Sequence, residues 1–188
     1  MPNKRSNRAR TIASEFAFIS DKRLREDISD ALFFAAYLLE AADKTKAKRY
    51  KEEFYRATVL YVASAIEALC LFLINLKQVS REKTEYRHTR EITIPGVSVA
   101  SGDIVIGIRE KKLLELREIP FVEANRALVS EAIISKKLGS KIDQIRIARN
   151  TQHLYGRARS RMSRKEISTA FEALSPLLET IRKTVSSK

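Results

Sequence analysis

The amino-acid sequence predicts an all-α helical bundle with a small β-hairpin inserted between helices. Three observations predict it. Apolar residues recur at helical spacing through most of the 188 residues. One segment, Val59 to Leu76, is apolar on nearly every side, which is the pattern of a helix surrounded by others. Only residues 91–108, EITIPGVSVASGDIVIGI, combine Val and Ile enrichment with turn-forming glycines.

Composition sets the outer bounds. At 188 residues, 44% hydrophobic and 31% charged, the chain suits one domain with a real core, expected over residues 13–188. The 36 Lys and Arg outnumber the 23 Asp and Glu, for a formal net charge of +13. A small domain this basic is expected to meet a polyanion. No apolar run is expected to reach transmembrane length and no signal sequence is visible, so a cytoplasmic protein without a membrane partner is expected. The single Cys70 rules out a disulfide within the chain. One cysteine and two histidines, His88 and His153, also make a zinc site unexpected.

The elements follow in order. Residues 1–12 open with MPNKRSNRAR and are expected to form a disordered basic arm, either solubilising or phosphate-contacting. Ser20 or Asp21 can cap a first helix reaching about Lys44, with Leu24, Ile28, Leu32, Ala35, Leu39 and Ala42 on its core face. A second long helix is expected from about Lys48 to Gln78. Glu67 stands within its apolar run, so it must reach either a solvated edge or a cation. Residues 80–90 read as a basic loop with His88 exposed. The hairpin is expected to pair Val97 and Val99 with Ile104 and Ile106 across a Ser-Gly-Asp turn. Helical texture resumes over Glu110–Glu118, and Pro120 is placed to start a helix ending near Leu138. Gly139 should stop it, and Ser140 with Asp143 resembles a capping box for a short helix running to Gly156. Ser163 with Glu166 caps a last helix from Arg164, which Pro176 should kink or split.

Candidate chemistry concentrates at residues 146–165. Arg149 lies four positions before His153 and Arg146 seven before, rotations of roughly 400° and 700° that put all three on one helix face, with Asn150 on its flank. A cationic cluster follows: Arg157, Arg159, Arg161, Arg164 and Lys165. Such a cluster holds phosphates through charge, independent of base sequence. An imidazole moves protons near neutral pH, and a guanidinium fork stabilises a phosphate in its transition state. No carboxylate cluster resembles a magnesium site, so no metal or other cofactor is expected. Arg and His without metal suit RNA, whose own 2′-hydroxyl can be the nucleophile.

The helix RATVLYVASAIEALCLFLI, followed by a later helix ending in an Arg-Asn…His motif before a glycine, resembles the HEPN superfamily. Residues 46–80 and 120–185 carry the resemblance. It implies a small α-helical domain and a metal-independent endoribonuclease of the toxin–antitoxin or phage-defence kind, pairing as a homodimer so that two motifs line one cleft. It implies RNA as substrate and a cognate antitoxin as a partner. His153 would be general acid or base, Arg149 would stabilise the phosphate, Arg146 would assist and Asn150 would orient. The spacing departs from the family pattern: two residues separate Asn150 from His153, one fewer than usual, and Arg146 is followed by Ile147. A non-catalytic RNA- or nucleotide-binding partner of the same fold is the alternative, and a basic DNA-binding protein a third. Glu67 is expected to pair with whichever of Arg146 and Arg149 turns inward. Because of its Asn150 neighbour, Arg149 is expected to be the one facing the cleft.

Overall fold

A computed structural model describes residue 12 and residues 14–80, 82–92, 104–151 and 163–187. Most of the basic arm, the hairpin tip with Val97 and Val99, His153, Gly156, Arg157, Arg159 and Arg161 lie outside the described residues. The fold is all-α. Its helices are α1 (Lys22–Lys44), α2 (Lys48–Lys77), α3 (Phe121–Ser130), α4 (Lys136–Asn150) and α5 (Arg164–Ser186). A two-stranded antiparallel ribbon, β1 (Glu82–Ile92) and β2 (Ile104–Leu113), stands between α2 and α3, followed by one 3-10 turn at Leu116–Glu118. The chain divides into two compact units, Ser80–Ile119 and the helical remainder.

In the helical unit α2 is the hub. It packs against α1, α3, α4 and α5, which is why its sequence is apolar nearly all round. Val62, Ile66, Leu69 and Leu73 are fully buried along it, each contributing about 1.5–3 kcal/mol of transfer free energy. Gln78 in the left-handed conformation ends it, with φ 51°. The expectation that no apolar run reaches transmembrane length is corrected here. By length and composition α2 could span a bilayer, with a window of mean hydropathy 2.2.

At α1 the Asp21 carboxylate accepts from the Leu24 amide at 3.0 Å, one of the helix's otherwise unpaired donors. Ile28, Leu32, Ala35 and Ala42 face inward. Before α1, Phe16 and Ile19 are buried too, although no helical repeat marks them in the sequence. The Ser163–Glu166 capping box forms at the start of α5. That helix runs unbroken through Pro176, so the expected split does not occur. Pro176 and Glu172, whose carbonyl loses its helical donor, are both exposed, so water can meet that carbonyl.

The ribbon corrects two further expectations. β1 occupies 82–92, which read as a loop, and β2 extends through 110–113, which read as helix. Register pairs Glu82 with Leu113 and Ile92 with Ile104, with a bulge between His88 and Arg90. His88 is therefore a strand residue, opposite Gly107. Charged residues disguised these strands, since a two-stranded ribbon has no buried face to demand alternation of apolar and polar residues.

The helix expected from Pro120 to Leu138 is two helices. α3 stops at Ser130, the chain turns through Ala132 at φ 52°, and α4 begins at Lys136. Its cap is Ser135, whose hydroxyl accepts from Leu138 N at 3.2 Å. Gly139 and Ser140 thus lie inside α4 rather than before it. Gly139 is there because the helices touch: a Cβ on it would come 2.3 Å from Val129 Cγ2. Asn125 of α3 donates to the Gly139 carbonyl at 2.9 Å, pinning the crossing.

Gly139→Ala is expected to destabilise the protein by about 1–2 kcal/mol, the overpacking cost exceeding the helix-propensity gain of roughly 1 kcal/mol. In a Val129→Ala background the same change should turn neutral or stabilising. Urea midpoints of the four proteins check both signs.

Candidate active site

Leu138, Ile142 and Ile145 form the buried edge of α4. Steps of four, three and four residues carry that same edge on to Arg149. The arginine therefore continues the core stripe and emerges where the bundle meets solvent. There its Nη1 donates to Glu67 Oε2 at 2.6 Å, joining α4 to the hub helix. The side chains are 35% and 25% exposed, respectively, so the pair sits at the rim of the core rather than in it.

Of the two arginines, Arg149 is the inward one, and the expectation that it faces the cleft is corrected. The cause is geometric: Arg149 lies in line with Ile142 and Ile145, whereas Arg146 is offset by roughly 60° around the helix. Arg146 Nε instead donates to Asp143 Oδ1 at 2.7 Å, an i, i+3 pair within α4. Asp143, read from the sequence as a cap, is thus the partner of Arg146. Asn150 is the last helical residue and is exposed. Thr151 closes the end of α4, its hydroxyl donating to the Ala148 carbonyl at 2.8 Å.

One guanidinium has five N–H donors and the Glu67 contact uses one of them. Arg149 can therefore be held by Glu67 and still present donors to an anion. The carboxylate also acts on a neighbour. Burial, with the Glu67 charge adding to it, pushes the Cys70 thiol up to about 12. Cys70 is thus a packed, protonated side chain and no nucleophile.

The described part of the cationic cluster flanks α4. Arg164 Nη1 reaches Asp43 Oδ1 at the end of α1, 3.2 Å away, with most of its side chain exposed. Lys165 lines a cavity of about 180 Å3 between α4 and α5, with Gln144, Ile145, Ala148, Glu166 and Thr169. Burial works to raise the Glu166 carboxyl, but the Ser163 hydroxyl and the amides of Glu166 and Ser163 outweigh it and hold the group below its ordinary value. Glu166 stays ionised as the cap of α5 instead of serving as an acid. Among the described residues no group of three or more His, Cys, Asp or Glu is placed to hold a metal ion.

The structure therefore brings together Arg149, Glu67, Arg146 and Asn150 at the C-terminal end of α4, with Lys165 on the neighbouring helix. His153, Arg157, Arg159 and Arg161 lie outside the described residues. No protein-family model, no curated protein and no solved structure matches this chain.

Proposed function

We propose that the protein is a metal-independent endoribonuclease of the HEPN kind, acting on RNA at the C-terminal end of α4. The observation that carries this reading is the Glu67–Arg149 ion pair. It ties the end of the motif helix to the hub of the bundle, so the groups at that end are held in place before substrate arrives. His153 follows the last helical residue by three positions.

The chemistry is in-line transfer. A base removes the 2′-hydroxyl proton, the 2′-oxygen attacks phosphorus, and the P–O5′ bond breaks as an acid returns a proton to the leaving oxygen. The products are a 2′,3′-cyclic phosphate and a 5′-hydroxyl. His153 takes the acid or base role, and the free donors of Arg149, with Arg146, stabilise the charge that develops on the phosphoryl oxygens. Arg157, Arg159, Arg161, Arg164 and Lys165 hold the RNA backbone. A homodimer and a cognate antitoxin are part of this reading, as the resemblance implies.

In EDTA, purified protein should cut single-stranded RNA and leave those two ends, resolved on a sequencing gel before and after phosphatase treatment. A requirement for magnesium, or products with 3′-hydroxyl ends, would sink the proposal.

One observation favours a second reading. Both motif arginines already have carboxylate partners, Glu67 and Asp143, as they would in a non-catalytic RNA-binding domain. RNA bound in a salt-dependent manner but left intact in the same assay would select that alternative.

A further inference from the structure

Turned away from the core, α1 carries a second stripe. Asp27, Asp30, Phe34, Tyr37, Ala41 and Lys44 follow one another in steps of three, four, three, four and three residues. That alternation is the repeat of a coiled-coil seam, distinct from the inner stripe that packs on α2. Its middle is aromatic and open: Phe34 is 48% exposed and Tyr37 47%. Tyr61 of α2, also exposed, stacks on Phe34 with ring centroids 5.7 Å apart and widens the apolar surface. The ends have opposite sign, with exposed Asp27 and Asp30 at one and exposed Lys44 at the other.

We propose that this face docks a second copy of the chain, α1 against α1 of the partner in antiparallel orientation about a two-fold axis. The pattern chooses the occupant because it is complementary to itself. In an antiparallel pair centred between residues 35 and 36, facing positions sum to 71. Phe34 then meets Tyr37 of the partner subunit, and Asp27 meets Lys44 of the partner subunit. Ala41 meets Asp30 of the partner subunit. Each first-position residue of the repeat faces a second-position residue, as antiparallel coiled coils require. The two-fold operation makes every contact twice. A shallow crossing of roughly 20° keeps the charged ends in reach while the aromatics pack at the centre. A nucleic acid does not fit this stripe, since its centre is uncharged and one end is acidic. The inference does not depend on RNA cleavage, because none of these residues belongs to the α4 site.

Sedimentation equilibrium of the full chain, run from about 1 to 100 μM, should show a dimer. Asp27→Lys alone, or Lys44→Asp alone, should weaken it at least tenfold at low salt, and the two together in one chain should restore it. Circular dichroism melts keep folding in view, and exposed charge changes should leave them nearly unmoved. A covalent trap is the second arm. Asp27→Cys with Lys44→Cys in one chain should oxidise to a dimer, since the two positions lie about 25 Å apart along one helix and cannot join within a chain. Cys70 is buried and will not compete. A wild-type monomer throughout the concentration range overturns the proposal. So does a charge swap that fails to rescue, or a dimer that the cysteine pair does not trap.

Discussion

The His153→Ala protein is expected to bind RNA as the wild type does and to cut it about 10²–10⁴-fold more slowly, the range for loss of a positioned acid or base. Two features of the chain set that expectation. His88 belongs to β1, in a separate compact unit, so His153 is the one histidine in the sequence beside the α4 motif. Cys70, the other side chain able to move a proton near neutral pH, is locked as a thiol by burial and by Glu67. Single-turnover cleavage with enzyme in excess isolates the chemical step, and filter binding in EDTA measures affinity separately. A variant that cuts at the wild-type rate would remove His153 from the chemistry. A variant that loses binding as well would make the residue structural.

Much of the fold was legible because burial writes a period into a sequence. The first two helices and the last emerged near their observed ends, since each combines a continuous apolar stripe with a side-chain or backbone cap that local residues specify. The ribbon emerged only in part. The Val and Ile residues drew attention to 91–108, yet β1 lies earlier, over the charged residues 82–92. Those strands are specified by cross-strand pairing, which leaves no signature within either strand alone. The break between α3 and α4 was illegible for a related reason. Ala132 takes up a left-handed conformation that alanine does not advertise. Gly139, a usual stop signal, is in fact a contact point between helices.

The site was legible as a set of residues but not as a set of roles. A carboxylate inside an apolar run must be paired, so Glu67 pointed to a cation, and the motif helix was the nearest source of one. Choosing between Arg146 and Arg149 required the angular position of the core edge on α4. That edge depends on where the helix starts, and the cap at Ser135 was hidden behind the more conspicuous Ser140 and Asp143. The Asp143–Arg146 pair, at a spacing any helix brings together, was available in the sequence and went unused.

Removing Glu67 is expected to expose the structural side of Arg149. Glu67→Ala should cost about 1–3 kcal/mol: less than a wholly buried ion pair, because both side chains keep contact with water, and more than a surface pair. Arg149→Ala should cost a similar amount. The double variant should be no worse than either single one, giving a coupling energy of about 1 kcal/mol in a double-mutant cycle. Arg146→Ala, whose partner is a half-exposed Asp143 on the same helix, should lie within about 0.5 kcal/mol of wild type. A second readout separates the charge of Glu67 from its packing. In Glu67→Gln the Cys70 thiol loses the smaller of the two causes that raise it, so its titration should move down from about 12 while burial keeps it above the ordinary 9.0. The sign follows from the carboxylate, which disfavours a second negative charge beside it. If the cycle shows no coupling and the thiol does not move, Glu67 holds neither Arg149 nor the end of α4. The argument that this helix end is prepared for a phosphate would then lose its structural support.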